Sequence, residues 1–164
     1  MPSQEHIREK LASFLAAAPA GYAIAFDIQY TTPTFLFQSY PKAWLDYYSQ
    51  NGLLLRDPTV AWGFENLGST RWSDLAALDI AGVMPLAADH GMRFGATCAI
   101  DIDGARTIAS FARSDREFSI AEMAQLLTDL EMLHTDLAAL NSLSKQTADA
   151  LRDMAVKVTH PAHS

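Results

Sequence analysis

The sequence is poor in cysteine, in basic residues and in long apolar runs. Its one cysteine, Cys98, excludes an internal disulfide and a cysteine-based zinc site, so we expect a small buried apolar side chain there. Only 12 lysines and arginines oppose 19 aspartates and glutamates, and the formal net charge of −7 disfavours direct nucleic acid binding by this chain. No run reaches the roughly 18 apolar residues of a membrane span. These features predict a cytoplasmic protein without a membrane anchor.

The usual motifs of enzymes and cofactor sites are also missing. The sequence has no G-x-S-x-G turn, no H-E-x-x-H helix, no phosphate-binding loop and no G-x-G-x-x-G. The five histidines are scattered, and His160 with His163 supplies two ligands where a zinc site needs about four. We therefore expect no catalytic residue, no metal and no cofactor.

The first segment predicts an amphipathic helix in a chain whose 164 residues suffice for one domain. Ser3 is placed as its N-cap, and its apolar face comprises Ile7, Leu11, Phe14, Leu15 and Ala18. Residues 11–20 also resemble the apolar part of an export signal. Glu5 and Glu9 disfavour that interpretation, because an export leader is basic ahead of its apolar part.

Four segments have the composition of strands. Residues 22–30 and 35–37 predict the first two, and residues 96–102 and 106–112 predict a hairpin. The hairpin turn is Asp103-Gly104, a dipeptide that tolerates the positive φ angles of a type I′ turn. Asp101-x-Asp103-Gly104 also begins like a calcium loop, but it lacks the later acidic ligands, so the turn is favoured.

Helices are predicted between these strands and after them. One begins at Pro41 and ends near Asn51-Gly52, Asp57-Pro58 opens a turn or a helix, and residues 73–78 and 85–91 form shorter helical pieces. Gly91 and Gly95 are predicted to be turn glycines. The longest helix begins with the capping box Ser119-x-x-Glu122, and its apolar stripe is Ile120, Met123, Leu127, Leu130, Leu133, Leu137 and Leu140.

Together these elements predict an α/β/α sandwich with a central antiparallel sheet. The domain is expected to occupy residues 1–140. Residues 141–164 are expected to form a polar linker and a short tail helix. The linker is predicted at residues 141–148, and the apolar side of the helix that follows is Leu151, Met154, Ala155 and Val158.

One region is rich in aromatic residues that carry a polar group. Trp44 and Tyr48 are spaced i, i+4 on one helix face, with Tyr40 just before the first turn and Asp57 and Trp72 following. Such residues suit a pocket for a ligand with an apolar body and a few polar atoms. Aromatic residues at helical spacing are also common in cores, and aspartate before proline is commonly a helix cap, so both interpretations stay open on chemistry alone.

These residues, in this order, resemble the autoinducer-binding domain of LuxR-type quorum-sensing regulators, which binds N-acyl homoserine lactones. The resemblance runs from about Phe26 to Leu140. It rests on Phe26-x-x-x-Tyr30, the Tyr40–Tyr48 segment, Asp57-Pro58, Trp72-Ser73, His90-Gly91-Met92-Arg93-x-Gly95-x-Thr97 and the hairpin before the last long helix. It implies a sheet of about five antiparallel strands between helical layers, with the ligand between sheet and helices.

The resemblance also implies roles for individual side chains. The indole N–H of Trp44 would donate to the lactone carbonyl, Asp57 would accept the amide N–H, and Tyr40 would donate to the acyl carbonyl. Tyr48 would pack beside the acyl chain and Trp72 beside the lactone head. Ser110 would contact a carbonyl or a 3-substituent, although strand alternation allows a solvent-facing serine equally well.

The sequence departs from the family in two places. It has Ala99 where the family usually has a proline, and after Leu140 too little chain remains for the helix-turn-helix DNA-binding domain that normally follows. We expect either a ligand-binding piece of a longer regulator or, somewhat favoured, a stand-alone domain. Two functions are therefore carried forward: a lactone sensor that signals through a homodimer, and a domain that pairs with full-length LuxR-type regulators without needing a ligand.

Overall fold

A five-stranded sheet organises the protein, which is represented by a computed structural model that describes residues 3–30, 32–142 and 145–159. The strands are β1 (Gly21–Gln29), β2 (Thr32–Gln38), β3 (Gly68–Arg71), β4 (Phe94–Ile102) and β5 (Ala105–Arg113). Their order across the sheet is β2-β1-β5-β4-β3, and every neighbouring pair is antiparallel. The predicted antiparallel sheet flanked by helices is confirmed.

The described residues include six α-helices. They are α1 (Gln4–Ala17), α2 (Lys42–Gln50), α3 (Pro58–Glu65), α4 (Val83–Asp89), α5 (Ile120–Asn141) and α6 (Lys145–Thr159). Short 3-10 helices cover Leu53–Arg56 and Trp72–Leu78. Helices α1, α5 and α6 pack on one face of the sheet, whereas α2, α3, α4 and the 3-10 helix Trp72–Leu78 lie over the other.

Local signals in the sequence explain where several elements begin and turn. The Ser3 hydroxyl accepts from the backbone N–H of His6 and caps α1, as predicted. The capping box of Ser119 and Glu122 is formed at the start of α5. Asp103 and Gly104 have φ angles of 53° and 84°, which a type I′ hairpin turn requires. Each of these predictions is confirmed.

The two faces of the sheet are filled differently. The face under α1, α5 and α6 carries large apolar side chains, and their burial is the main source of stability: Tyr22, Ile24, Phe26, Phe35, Phe37, Ile100 and Phe111. Cys98 lies among them and is fully buried, as expected. The opposite face carries small side chains and lies next to the aromatic residues singled out above.

Some sequence predictions need correction at the edges of helical faces. Leu15 is 44% exposed and Ile120 is 78% exposed, because each lies just outside the face that meets the sheet. Leu126 and His134 of α5 are buried instead. Pro41 precedes α2 as its N-cap residue and is not its first helical residue.

The segment predicted as a polar linker is largely helical. Asn141 ends α5, and α6 already begins at Lys145, so residues 145–148 are helical. Leu151, Met154 and Ala155 are buried in the main core, while the side chain of Val158 lies outside the described residues, as do His160 and His163. Within the described ranges, no helix is both long enough and apolar enough to cross a membrane.

Candidate functional site

The sheet face toward α2, α3 and α4 is lined mostly by small side chains. The strand register places three rows across it: Leu36, Ala25, Ile108 and Ala99 in the first; Gln38, Ala23, Ser110 and Thr97 in the second; Gly21, Ala112 and Gly95 in the third. Most of these residues are glycine, alanine, serine or threonine. Small side chains on a sheet face let the covering layer lie close to the sheet and can also give a ligand room between the layers.

Helix α2 directs two aromatic side chains toward this face. Trp44 is 4% exposed, and its ring lies 5.6 Å from that of Tyr48 and 5.3 Å from the imidazole of His90. Tyr47 stacks on the outer side of Trp44 at 6.2 Å and is itself exposed. The rings hold the indole in a fixed position within a second buried cluster. This Trp44 cluster comprises Trp44, Leu53, Trp72, Val83, Ala87, Met92 and Ala112.

Asp57 lies at the N-terminus of α3, where it is both the N-cap and a half-buried carboxylate. Its Oδ1 accepts from the backbone N–H of Thr59 at 2.9 Å and from the Thr59 hydroxyl at 2.7 Å. Its Oδ2 accepts from the Tyr48 hydroxyl at 2.8 Å. A carboxylate has about four acceptor positions, so one stays available for a further donor. Burial raises the pKa of Asp57 above its usual value, and the bonds from Thr59 and Tyr48 oppose that rise.

Tyr40 has a buried hydroxyl that finds no hydrogen-bond partner among the described residues. Its ring lies against Gly21, whose φ of +121° and missing side chain allow the close approach. Burial, followed by the charge of Asp57, raises the pKa of Tyr40, so this hydroxyl stays protonated and can donate. An unpaired buried hydroxyl costs about 1–3 kcal/mol, which a ligand acceptor would recover.

Trp72 and Ser110 meet through Thr97, a fully buried residue of β4. The indole N–H of Trp72 donates to the Thr97 hydroxyl at 3.1 Å, and that hydroxyl is 2.7 Å from the Ser110 hydroxyl. The Trp72 ring lies directly over Gly95, where a Cβ would overlap it. The prediction of Gly95 as a turn glycine is therefore wrong, whereas Gly91, with φ of 89°, does follow α4 in a turn. Ser110 is half-buried and shares its sheet face with Ala112 of the Trp44 cluster.

The structure gathers the residues singled out from the sequence into one region. Tyr48 bonds to Asp57, whose charge also acts on Tyr40, and Trp44, Tyr40 and Tyr48 pack in the same cluster as Trp72. Sequence reasoning missed Thr59, which fixes the Asp57 carboxylate. One signal was available in the sequence: threonine and aspartate side chains often form hydrogen bonds with groups a few residues away along the chain.

Comparisons with known proteins identify the family. The sequence model of the family "Autoinducer binding domain" matches residues 4–139. A search of curated proteins found no match. Among solved structures, SdiA in complex with octanoyl-rac-glycerol has a TM-score of 0.62 at 19% identity, and the alignment covers 96% of this chain and 84% of that chain.

Two further solved structures are similar. Escherichia coli SdiA has a TM-score of 0.64 at 24% identity, and 95% of this chain spans 65% of that chain. CepR2 of Burkholderia cenocepacia, an N-acylhomoserine lactone-dependent LuxR family transcription factor, has a TM-score of 0.57 at 17% identity, with 84% and 85% covered. At these identities the likeness concerns the fold, and the family model carries the assignment. The chain belongs to the autoinducer-binding domain family of LuxR-type quorum-sensing regulators, a family of small-molecule receptor domains.

Proposed function

We propose that this chain binds an N-acyl homoserine lactone between the sheet and the layer of α2, α3 and α4. The observation that carries the proposal is the pair of Tyr40 and Asp57: a buried hydroxyl without a partner among the described residues, and a carboxylate with an acceptor position to spare whose charge acts on that hydroxyl. Tyr40 offers a donor and Asp57 an acceptor, and the two together suit a secondary amide, which presents a carbonyl acceptor and an N–H donor.

The remaining polar groups of the ligand find partners in the same region. Asp57 accepts the amide N–H, Tyr40 donates to the acyl carbonyl, and the Trp44 indole donates to the lactone carbonyl. Tyr48 packs its ring beside the acyl chain, while its hydroxyl orients Asp57. The sequence does not predict this hydrogen bond from Tyr48 to Asp57, and the bond supports a fixed geometry of the carboxylate.

Trp72 and Ser110 complete the proposed site. The Trp72 ring packs beside the lactone head, and Thr97 already accepts from its N–H, so its contribution is apolar. Ser110 contacts a carbonyl or a 3-substituent, and its placement on the site face favours this role over a solvent-facing one. No catalytic residue, metal or cofactor is needed for binding, and the acidic chain is proposed to act in the cytoplasm without contacting nucleic acid.

A monoacylglycerol is the ligand class to test beside the lactones. SdiA, a relative in fold, has been solved with octanoyl-rac-glycerol. Such a molecule also combines an acyl carbonyl, hydroxyl donors and an apolar tail. It could satisfy Tyr40 and Asp57 with an ester carbonyl and a hydroxyl in place of the amide.

We further propose that binding is read out through a homodimer. The alternative is pairing with a full-length LuxR-type regulator, with or without a ligand. Three large apolar side chains are strongly exposed, and a partner of either kind that covered them would remove them from water: Leu55 is 93% exposed, Ile80 97% and Ile120 78%. Sedimentation of the free and the ligand-bound protein, alone and mixed with such a regulator, distinguishes the two.

Thermal unfolding with a panel of N-acyl homoserine lactones and monoacylglycerols tests the ligand proposal. A ligand at 100 times its Kd adds about 2.7 kcal/mol, which raises Tm by roughly 5–10 °C. The shift should be lost in Asp57→Asn and kept in Asp46→Asn, an exposed aspartate of α2 that pairs with Lys42. Mass spectrometry of an organic extract checks that no ligand co-purified. A folded, ligand-free protein with no shift across the panel would exclude the proposal.

A further inference from the structure

Apart from Leu36 and Gln38 on the edge strand β2, one large side chain, Ile108, interrupts the small-residue face of the sheet. In the row formed by Ala25, Ile108 and Ala99, both cross-strand neighbours of Ile108 are alanines. Ile108 therefore stands above its surroundings by about three methylene-sized groups, and it projects toward the helical layer. It is buried at 9% exposure, so something in that layer covers it.

The cover is Gly63 of α3. A Cβ built on Gly63 would lie 2.6 Å from Cγ2 of Ile108 and 2.9 Å from its Cδ1, so the helix backbone rests on the isoleucine side chain. Glycine inside a helix costs about 1 kcal/mol relative to alanine, and here it permits a contact that alanine would prevent. The space between α3 and the sheet is closed at this point.

Arg106, on the same strand, fixes the helix in this position. Its guanidinium donates to the carbonyl oxygens of Gly63 at 2.7 Å and Asn66 at 3.0 Å, which caps the C-terminal end of α3. Asp57 precedes the first residue of the same helix, about 9 Å from Gly63 along the helix axis. Asp57 thus lies at the N-terminal end of α3, and the contact between Gly63 and Ile108 lies toward its C-terminal end.

We propose that Ile108, seated under Gly63, forms the end of the acyl-tail site and sets the longest acyl chain that the protein accepts. This inference rests on the proposed function. A tail that leaves the head group between Asp57 and Ser110 runs over the sheet toward the next row. There the flanking residues are alanines and Ile108 alone fills the gap up to α3.

The test is a chain-length profile of binding to the full chain. Kd is measured for unsubstituted N-acyl homoserine lactones from butanoyl to dodecanoyl, with wild type, Ile108→Val and Ile108→Ala. The longest accepted chain should grow by about one methylene in Ile108→Val and by about three in Ile108→Ala, and each added methylene should tighten binding about four-fold. Ile100→Val, a matched change on the opposite face of the sheet, should leave the profile unchanged.

The outcomes separate the two proposals. If wild type binds lactones and the folded Ile108 variants keep its chain-length profile, this inference is wrong and the proposed function stands. If folded wild type binds no member of the series and none of the lactones and monoacylglycerols of the panel above, the proposed function fails and this inference fails with it. If Ile108→Ala does not fold, Ile108→Val decides, because loss of one methylene from a core side chain is among the mildest core substitutions.

Discussion

The Tyr48 hydroxyl donates to Oδ2 of Asp57 at 2.8 Å, and this bond joins α2 to the N-cap residue of α3. Because Thr59 occupies Oδ1, the carboxylate is held on both sides. Its remaining acceptor position therefore has a defined direction. Burial raises the pKa of Asp57, so the ionised form that accepts best depends on these bonds.

Tyr48→Phe should weaken binding more strongly in acid than at neutral pH. The Tyr48 bond lowers the pKa of Asp57, so removing it raises that pKa further. Protonation of Asp57 removes the acceptor for the amide N–H, and the loss of affinity as pH falls should therefore begin at a higher pH in the variant. Kd measured against pH for both proteins checks this. Identical profiles would mean that Asp57 is not the acceptor or that Tyr48 does not act on it.

Tyr40→Phe should have opposite effects without and with ligand. Without ligand, removal of an unpaired buried hydroxyl should raise the free energy of unfolding by about 1–3 kcal/mol. With ligand, loss of the donor to the acyl carbonyl should weaken binding about ten-fold. Urea unfolding and titration measure the two effects. Tyr47→Phe, a matched change at an exposed tyrosine, should do neither.

Gly95→Ala should destabilise the protein through its contact with Trp72. A Cβ at this position would overlap the indole ring, and moving the ring breaks its bond to Thr97. We expect a loss of about 1–3 kcal/mol, the usual cost of overpacking. In a Trp72→Ala background the same glycine substitution should cost much less, and a double-mutant cycle by urea unfolding measures the coupling. Additive effects would contradict the proposed contact.

His134 should make the fold sensitive to mild acid. Burial lowers the pKa of His134 below its usual 6.5, and the Thr107 hydroxyl lies 2.7 Å from its Nδ1. Because the unfolded chain binds this proton more readily, the contribution of His134 to stability is fully present above about pH 6.5 and falls as pH drops below it, by at most about 1.4 kcal/mol per pH unit.

Replacement of His134 tests this directly. In His134→Asn, the free energy of unfolding should change less between about pH 7.5 and about pH 5.5 than in wild type. The raised pKa of Asp57 acts with the opposite sign, since the folded state then binds its proton more readily. The comparison is therefore repeated in the Asp57→Asn background. An unchanged pH dependence in both backgrounds would exclude His134 as the acid-sensitive group.

Features encoded by neighbouring residues could be predicted from the sequence. The N-cap at Ser3, the capping box at Ser119 and the Asp103-Gly104 turn depend on contacts within a few residues, and each forms as expected. The aromatic residues of α2 and the aspartate before Pro58 were likewise found together, because their spacing and the family resemblance pointed to one region.

Features that depend on strand register or on contacts between distant elements could not be predicted. The bond between Thr97 and Ser110 exists because the hairpin register puts these residues opposite each other. The local sequence predicts a turn residue at Gly95, because it does not show that Trp72 packs on this glycine. The sequence predicts only a turn or a helix opening at Asp57-Pro58, because helix α3 is positioned by Arg106 and Ile108 from another element.

Strand β5 presents its side chains alternately to two different environments. Ile108, Ser110 and Ala112 face the proposed site, whereas Ala109 and Phe111 are buried in the main core. Selection for a new ligand can therefore act on every second residue of one strand while the intervening residues preserve the fold. An insertion of a single residue in this strand would exchange the two sets, so divergence among such receptors is expected to proceed by substitution here and by insertion only in the loops.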